Sequence, residues 1–101
     1  MKYFVIGDED TVLGFGMVGV RGRQAASAQE AEQALTDAME NADIGIILIN
    51  ERLAELIRPL VDRFVFTRQF PLILEIPDRM GRLEGKPSLK ELVNEAIGIK
   101  L

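Results

Sequence analysis

The residues of this chain best placed to do chemistry are three acids and three glycines near its start. Asp8, Glu9 and Asp10 follow directly on the apolar run of residues 2–7, and Gly14, Gly16 and Gly19 complete the spacing G-x-G-x-x-G. Paired carboxylates at the carboxyl end of a central strand can hold Mg2+ in an open α/β sheet. The glycine spacing is that of the turn which seats a pyrophosphate on a helix N-terminus, between a first strand and a first helix. Context argues against the second chemistry. The glycines begin seven positions after Gly7 and follow a short helix instead of opening it, while the acids at the strand end would repel phosphate. The glycines therefore read as a helix C-terminus and a tight turn, and no cofactor is expected. Asp8 and Asp10 read first as a helix cap and as charges complementing the helix dipole, with Mg2+ binding as the alternative.

Little else in the chain supports catalysis. It contains no Cys and no His, which removes disulfides, thiol chemistry, thiolate metal sites and the commonest general base near neutral pH. Ser27 and Ser88, the only serines, sit where caps are needed, and Thr11, Thr36 and Thr67 lack a histidine to activate them. Glu75 lies inside an apolar strand and is expected at an edge or strand end that reaches water. Arg21, Arg23, Arg52, Arg58, Arg63 and Arg68 are spread among sixteen acids and read as ion-pairing surface. A formal charge of −4 and a pI near 4.8 have the wrong sign for a protein that wraps nucleic acid. No segment resembles a signal peptide or a membrane span, so a cytoplasmic protein with no direct membrane insertion is expected.

The elements that must position these residues follow from periodicity. Residues 2–7 read as a central buried strand, residues 10–15 as a short helix, and residues 18–25 as a weaker second strand. Ser27 with Glu30 forms a capping-box pair ahead of Ala28, Ala31, Leu35, Ala38, Met39 and Ala42, predicting a helix over residues 27–41. Residues 44–49 are a β-branched apolar run, the clearest strand of the chain. Asn50 is placed to cap the next helix, whose apolar face holds Leu53, Ala54, Ile57, Leu60, Val61 and Phe64, and Pro59 should break that helix near Arg58. Residues 71–76 complete the strands between Pro71 and Pro77.

At 101 residues there is room for one core. The alternation β-α-β-α-β-α-β predicts a small doubly wound α/β fold, a four-stranded parallel sheet with right-handed crossovers, receiver-like and of order 2-1-3-4. It should occupy residues 1–77. Residues 78–87, with Gly81, Gly85 and Pro87 among charged side chains, read as a linker. In residues 88–101, Ser88 and Glu91 repeat the capping box, and Leu89, Leu92, Val93, Ala96 and Ile97 form the stripe of an amphipathic helix, a candidate partner-binding surface. The stripe can complete the chain's own core or dock on another helix. Receiver domains of response regulators, which use acidic clusters such as Asp8 and Asp10 for Mg2+, need an Asp after the third strand and a later Lys. This chain offers Asn50 and no Lys between Lys2 and Lys86.

Taken together, Ile6-Gly7-Asp8-Glu9-Asp10-Thr11-Val12-Leu13-Gly14-Phe15, Val18-Gly19-Val20, Ile44-Gly45-Ile46-Ile47-Leu48-Ile49-Asn50-Glu51, Pro71-Leu72-Ile73-Leu74-Glu75-Ile76-Pro77 and Ala96-Ile97-Gly98-Ile99 resemble the F subunit of the archaeal and bacterial V-type (A-type) rotary ATPases. The likeness runs over nearly the whole chain in order and spacing. It departs after Phe15, where the family commonly carries Arg and this chain has Gly16. The resemblance implies a non-catalytic component of the central rotor stalk, bound to the coiled-coil D subunit and turning inside the A/B catalytic ring. In that position it would help couple ATP synthesis or hydrolysis to H+ or Na+ transport from the soluble sector, peripheral to the membrane. It further implies that the C-terminal segment is an arm able to lie along the stalk. The rival expectation is a receiver-like signalling or Mg2+-binding module.

Overall fold

The computed structural model describes residues 2–77. The linker and amphipathic helix expected over residues 78–101 lie outside the described residues. Strands β1 (Lys2–Gly7), β2 (Arg21–Gln24), β3 (Ile44–Asn50) and β4 (Leu72–Ile76) form one parallel sheet in the order β2-β1-β3-β4, the expected order. Helices α1 (Glu9–Gly16), α2 (Ala28–Glu40), α3 (Glu51–Leu56) and α4 (Arg58–Thr67) are the crossovers.

Because β1 leads to β2 on one side while β3 and β4 lie on the other, the helices fall on opposite faces. Phe4, Ile6, Ile47, Ile49 and Ile73 meet α2, α3 and α4 on the first face, and this cluster holds most of the core. Val5, Ile46, Leu48 and Ile76 meet Val12 and Phe15 of α1 on the second. Strand β1 is buried only over its second half, so its two-faced apolar run is less enclosed than its composition predicts. Helix α2 packs through Ala31, Ala34, Leu35, Ala38 and Met39, and its alanines let the backbone come close to the sheet. Each large aliphatic side chain buried there contributes about 1.5–3 kcal/mol.

Local chemistry sets the boundaries. Ser27 Oγ accepts from the Glu30 N–H at 3.2 Å, and the Glu30 carboxylate accepts in return from the Ala26 N–H at 2.9 Å. The third crossover breaks at Ile57, with Pro59 in the first turn of α4, where its missing N–H costs nothing. β2 is shorter than expected. Val18 lies in the turn that ends α1, and Gly19 takes φ +87°, a left-handed conformation disfavoured for residues with a Cβ, so the strand starts only at Arg21.

Asn50 does not cap α3 with its side chain, as the sequence suggested. It is 1% exposed and turns toward β1 instead. Its Oδ1 accepts from the Asp8 N–H at 2.8 Å, and its Nδ2 donates to Thr11 Oγ1 at 3.3 Å. A Cβ on Gly7 would collide with that Oδ1, so glycine is required there. Asn50→Leu deprives the half-buried Asp8 N–H and Thr11 hydroxyl of these partners and is expected to cost about 1–3 kcal/mol. Gly14→Ala, in helix α1 with open space around the added Cβ, should instead stabilise by about 0.5–1 kcal/mol, both read by urea denaturation.

Candidate functional site

In an open α/β sheet, ligands seat at the carboxyl ends of the strands where the strand order reverses, here between β1 and β3. The acids and Asn50 converge there. Asp8 is the N-cap of α1, its Oδ1 accepting from the Thr11 N–H at 2.7 Å. Its own N–H is held by Asn50. Asp8, Thr11 and Asn50 are therefore linked to one another by hydrogen bonds at the mouth of the crevice. Glu9 and Asp10 are exposed in the first turn of α1, where negative charge complements the helix dipole. Among the described residues, no group of three or more acids, His or Cys is arranged to hold a metal ion.

The glycine motif sits at the opposite end of α1. Gly14 and Gly16 are within the helix, and the turn beyond it is closed by the Gly19 N–H donating to Gly16 O and the Val20 N–H donating to Phe15 O. A helix C-terminus presents carbonyl oxygens, which repel phosphate. The turn reading of these glycines is borne out.

Glu75 stands on the edge strand β4, half-buried, and both its carboxylate oxygens accept from Arg58 at 2.7 Å. Arg58 also reaches Glu55 at 2.7 Å and Asp62 at 3.5 Å. The Glu75 hydrogen bonds are the main reason its guanidinium is held above the ordinary arginine value; burial works in the other direction, and Glu55 adds to the rise. A raised basic group keeps its full stabilisation below its ordinary pKa and loses it only above the raised one, so this contribution is constant across ordinary pH. Sequence spacing marked Arg58 as surface; the break at Ile57 is what directs it to β4. Arg23 pairs with Asp37 at 2.7 Å in open solvent.

Shallow grooves accompany this framework. One of about 640 Å3 runs between α2 and α4, lined by Gln29, Glu32, Gln33, Thr36, Pro59, Leu60 and Arg63. Another of about 300 Å3 lies beside α1, lined by Asp10, Thr11, Gly14, Phe15, Val18 and Pro77. The exposed surface also carries large apolar side chains: Leu13, Met17 and Val18 at the end of α1, and Val65, Phe66 and Phe70 at the end of α4. The second group was missed in the sequence, although Phe64-Val65-Phe66 is more apolar surface than one helical stripe can bury.

Comparison with known proteins decides the family. The pattern of the ATP synthase (F/14-kDa) subunit matches residues 4–93. The chain belongs to that family. It is 41% identical to the A-type ATP synthase F subunit of Pyrococcus furiosus, covering 100% of this chain and 98% of the relative. It is 34% identical to the corresponding A-type F subunit of Methanocaldococcus jannaschii, covering 100% and 99%. The crystal structure of the V-type ATP synthase F subunit from Archaeoglobus fulgidus shares the fold with a TM-score of 0.66 at 21% identity, over 74% of this chain and 95% of that one. In this ATP synthase F-family chain, the polar groups at the sheet's carboxyl end hold the fold together, and no helix of the described residues is long and apolar enough to cross a membrane.

Glu75→Ala removes a bidentate partner from a half-buried arginine and is expected to cost about 1–2 kcal/mol, with Arg58→Ala showing non-additivity in a double-mutant cycle. The hydrogen bond from Arg23, then that from Gln33, holds the Asp37 carboxyl below the ordinary value of 3.8. Carboxyl NMR titration should find it there, and Arg23→Ala should move it upward.

Proposed function

We propose that this chain is a non-catalytic component of the central rotor stalk of a V-type (A-type) ATP synthase or ATPase. The observation that carries the reading is the match to the A-type ATP synthase F subunit along the entire chain. The site chemistry supports it, since Asp8, Thr11 and Asn50 are engaged with one another. On this reading nucleotide chemistry belongs to the A/B ring and ion movement, of H+ or Na+, to the membrane sector. This chain sits in the soluble sector, peripheral to the membrane, and carries torque through protein contacts.

The direct partner is the D subunit, the coiled coil of the stalk. Residues 1–77 form the α/β domain, residues 78–87 a linker, and residues 88–101 an arm whose Leu89, Leu92, Val93, Ala96 and Ile97 pack on a neighbouring helix. Burying that stripe contributes several kcal/mol at about 25 cal/mol per Å2 before ordering costs. Two seats of similar energy, one on the chain's own domain and one on the stalk, let conditions shift the arm between them.

Co-expression with the coiled-coil D subunit of the same genome, followed by light scattering, should give a one-to-one complex. Two separate monomers would overturn the stalk reading while leaving the family membership in place. Leu92→Asp should weaken stalk binding or change the ATPase activity of the assembled enzyme; no change in either would remove the arm from the account.

A further inference from the structure

Parallel sheets are buried on both faces, because the crossover helices that join their strands cover them. Here the two faces are unequal. Helices α2, α3 and α4 cover the first face, whereas among the described residues the second carries only α1, which lies over β1 and β2. A helix is about 10 Å across and strands lie about 4.8 Å apart, so one helix covers about two strands. The register sets Tyr3, Ile46 and Leu72 in one row across β1, β3 and β4, with Val5, Leu48 and Leu74 in the next, all on the second face. Val5 and Leu48 are buried, but Tyr3 is 51% exposed, Leu72 49% and Leu74 42%. The half of this face over β3 and β4 is apolar and bears no helix among the described residues.

The chain itself leads to this surface. Ile76, the last residue of β4, packs on the second face, and Pro77 lines the groove beside α1 on the same side. The first face at β4 is already occupied by α3 and α4. Residues 78–101 follow, and spacing gives them the apolar stripe of Leu89, Leu92, Val93, Ala96 and Ile97. The ten residues 78–87 reach at most about 33 Å, against about 17 Å for the length of β4, so the stripe can be laid anywhere along β3 and β4. A tethered segment is present at a millimolar effective concentration, which sets it ahead of a second copy of the chain at ordinary protein concentrations.

We propose that the C-terminal stripe seats on the second face of the sheet, over Tyr3, Ile46, Leu72 and Leu74, and supplies the cover that a parallel sheet requires. This rests on the arm reading above and names the arm's seat on its own domain. Because the same apolar residues would pack on any other helix, leaving the seat uncovers Leu72 and Leu74, and the seat competes with every partner for the arm.

The test uses the full-length chain alone, which contains no Cys or Trp and a single Tyr. Leu74→Cys with Val93→Cys should close an intramolecular disulfide about tenfold faster than Phe66→Cys with Val93→Cys, since the seat brings only the first pair within bonding distance. Because Leu74 and Phe66 are exposed, circular dichroism should show the fold retained. As a second readout that leaves the domain unaltered, acrylamide should quench Tyr3 fluorescence more strongly in Leu92→Asp than in the wild-type chain. Equal rates of closure, faster closure of the Phe66 pair, or unchanged quenching in Leu92→Asp would overturn the seat. Disulfides formed only between chains, or quenching that falls as protein concentration rises, would make a second copy the occupant and also overturn it. Both readouts need no D subunit, so their failure leaves the stalk reading intact.

Discussion

The amide of Asn50 joins the parts of this fold that its backbone leaves separate. β1 and β3 are neighbours in the sheet, yet the chain leaves them in opposite directions, so their carboxyl ends diverge into a crevice. A buried amide in that crevice must find partners, since an unpaired polar group away from water costs about 1–3 kcal/mol. It finds them in the Asp8 N–H and the Thr11 hydroxyl, which fixes the start of α1 against the end of β3. Gly7 is needed beside it, and Asp8 is left to cap the helix. Three of the protein's own side chains are thereby linked at the place where related sheets hold a ligand.

The other polar anchor, Arg58 with Glu75, ties the break between α3 and α4 to the edge strand β4, so the third crossover and the sheet edge are held as one body. Its stabilisation does not vary over ordinary pH, because the arginine stays charged. Large apolar side chains also remain exposed at the ends of α1 and α4, Met17 and Phe66 foremost. Such surfaces bind other proteins. Membership of the ATP synthase F family gives that surface its setting.

Much of the fold was legible in the residues. The β-branched run at 44–49 and the capping box at Ser27 and Glu30 act through contacts a few residues apart, and the alternation they punctuate leaves few topologies once right-handed crossovers are required. Pro59 announced the helix break for the same reason: a missing N–H and a ring clash are local facts. The resemblance in the segments around Asp8, Ile44 and Pro71 pointed to the family before any coordinates did.

What the sequence alone determined was therefore the element order and the absence of a histidine or cysteine to do chemistry, because each depends on residue type or short spacing; the sheet order was an expectation that the structure met. Tertiary structure decided what Asn50 and Arg58 bond to and that Phe66 is left exposed. Asn50 is a plausible cap until β1 lies beside β3 and Asp8, forty-two positions away, offers its N–H. Arg58 is one more surface cation until Glu75 arrives seventeen positions later on β4. Phe66 follows Phe64 by two residues, which turns it about 200° around the helix, and only the packing of α4 against the sheet sets which of the two rings faces solvent. Those outcomes depend on distances through space, which spacing along the chain does not encode.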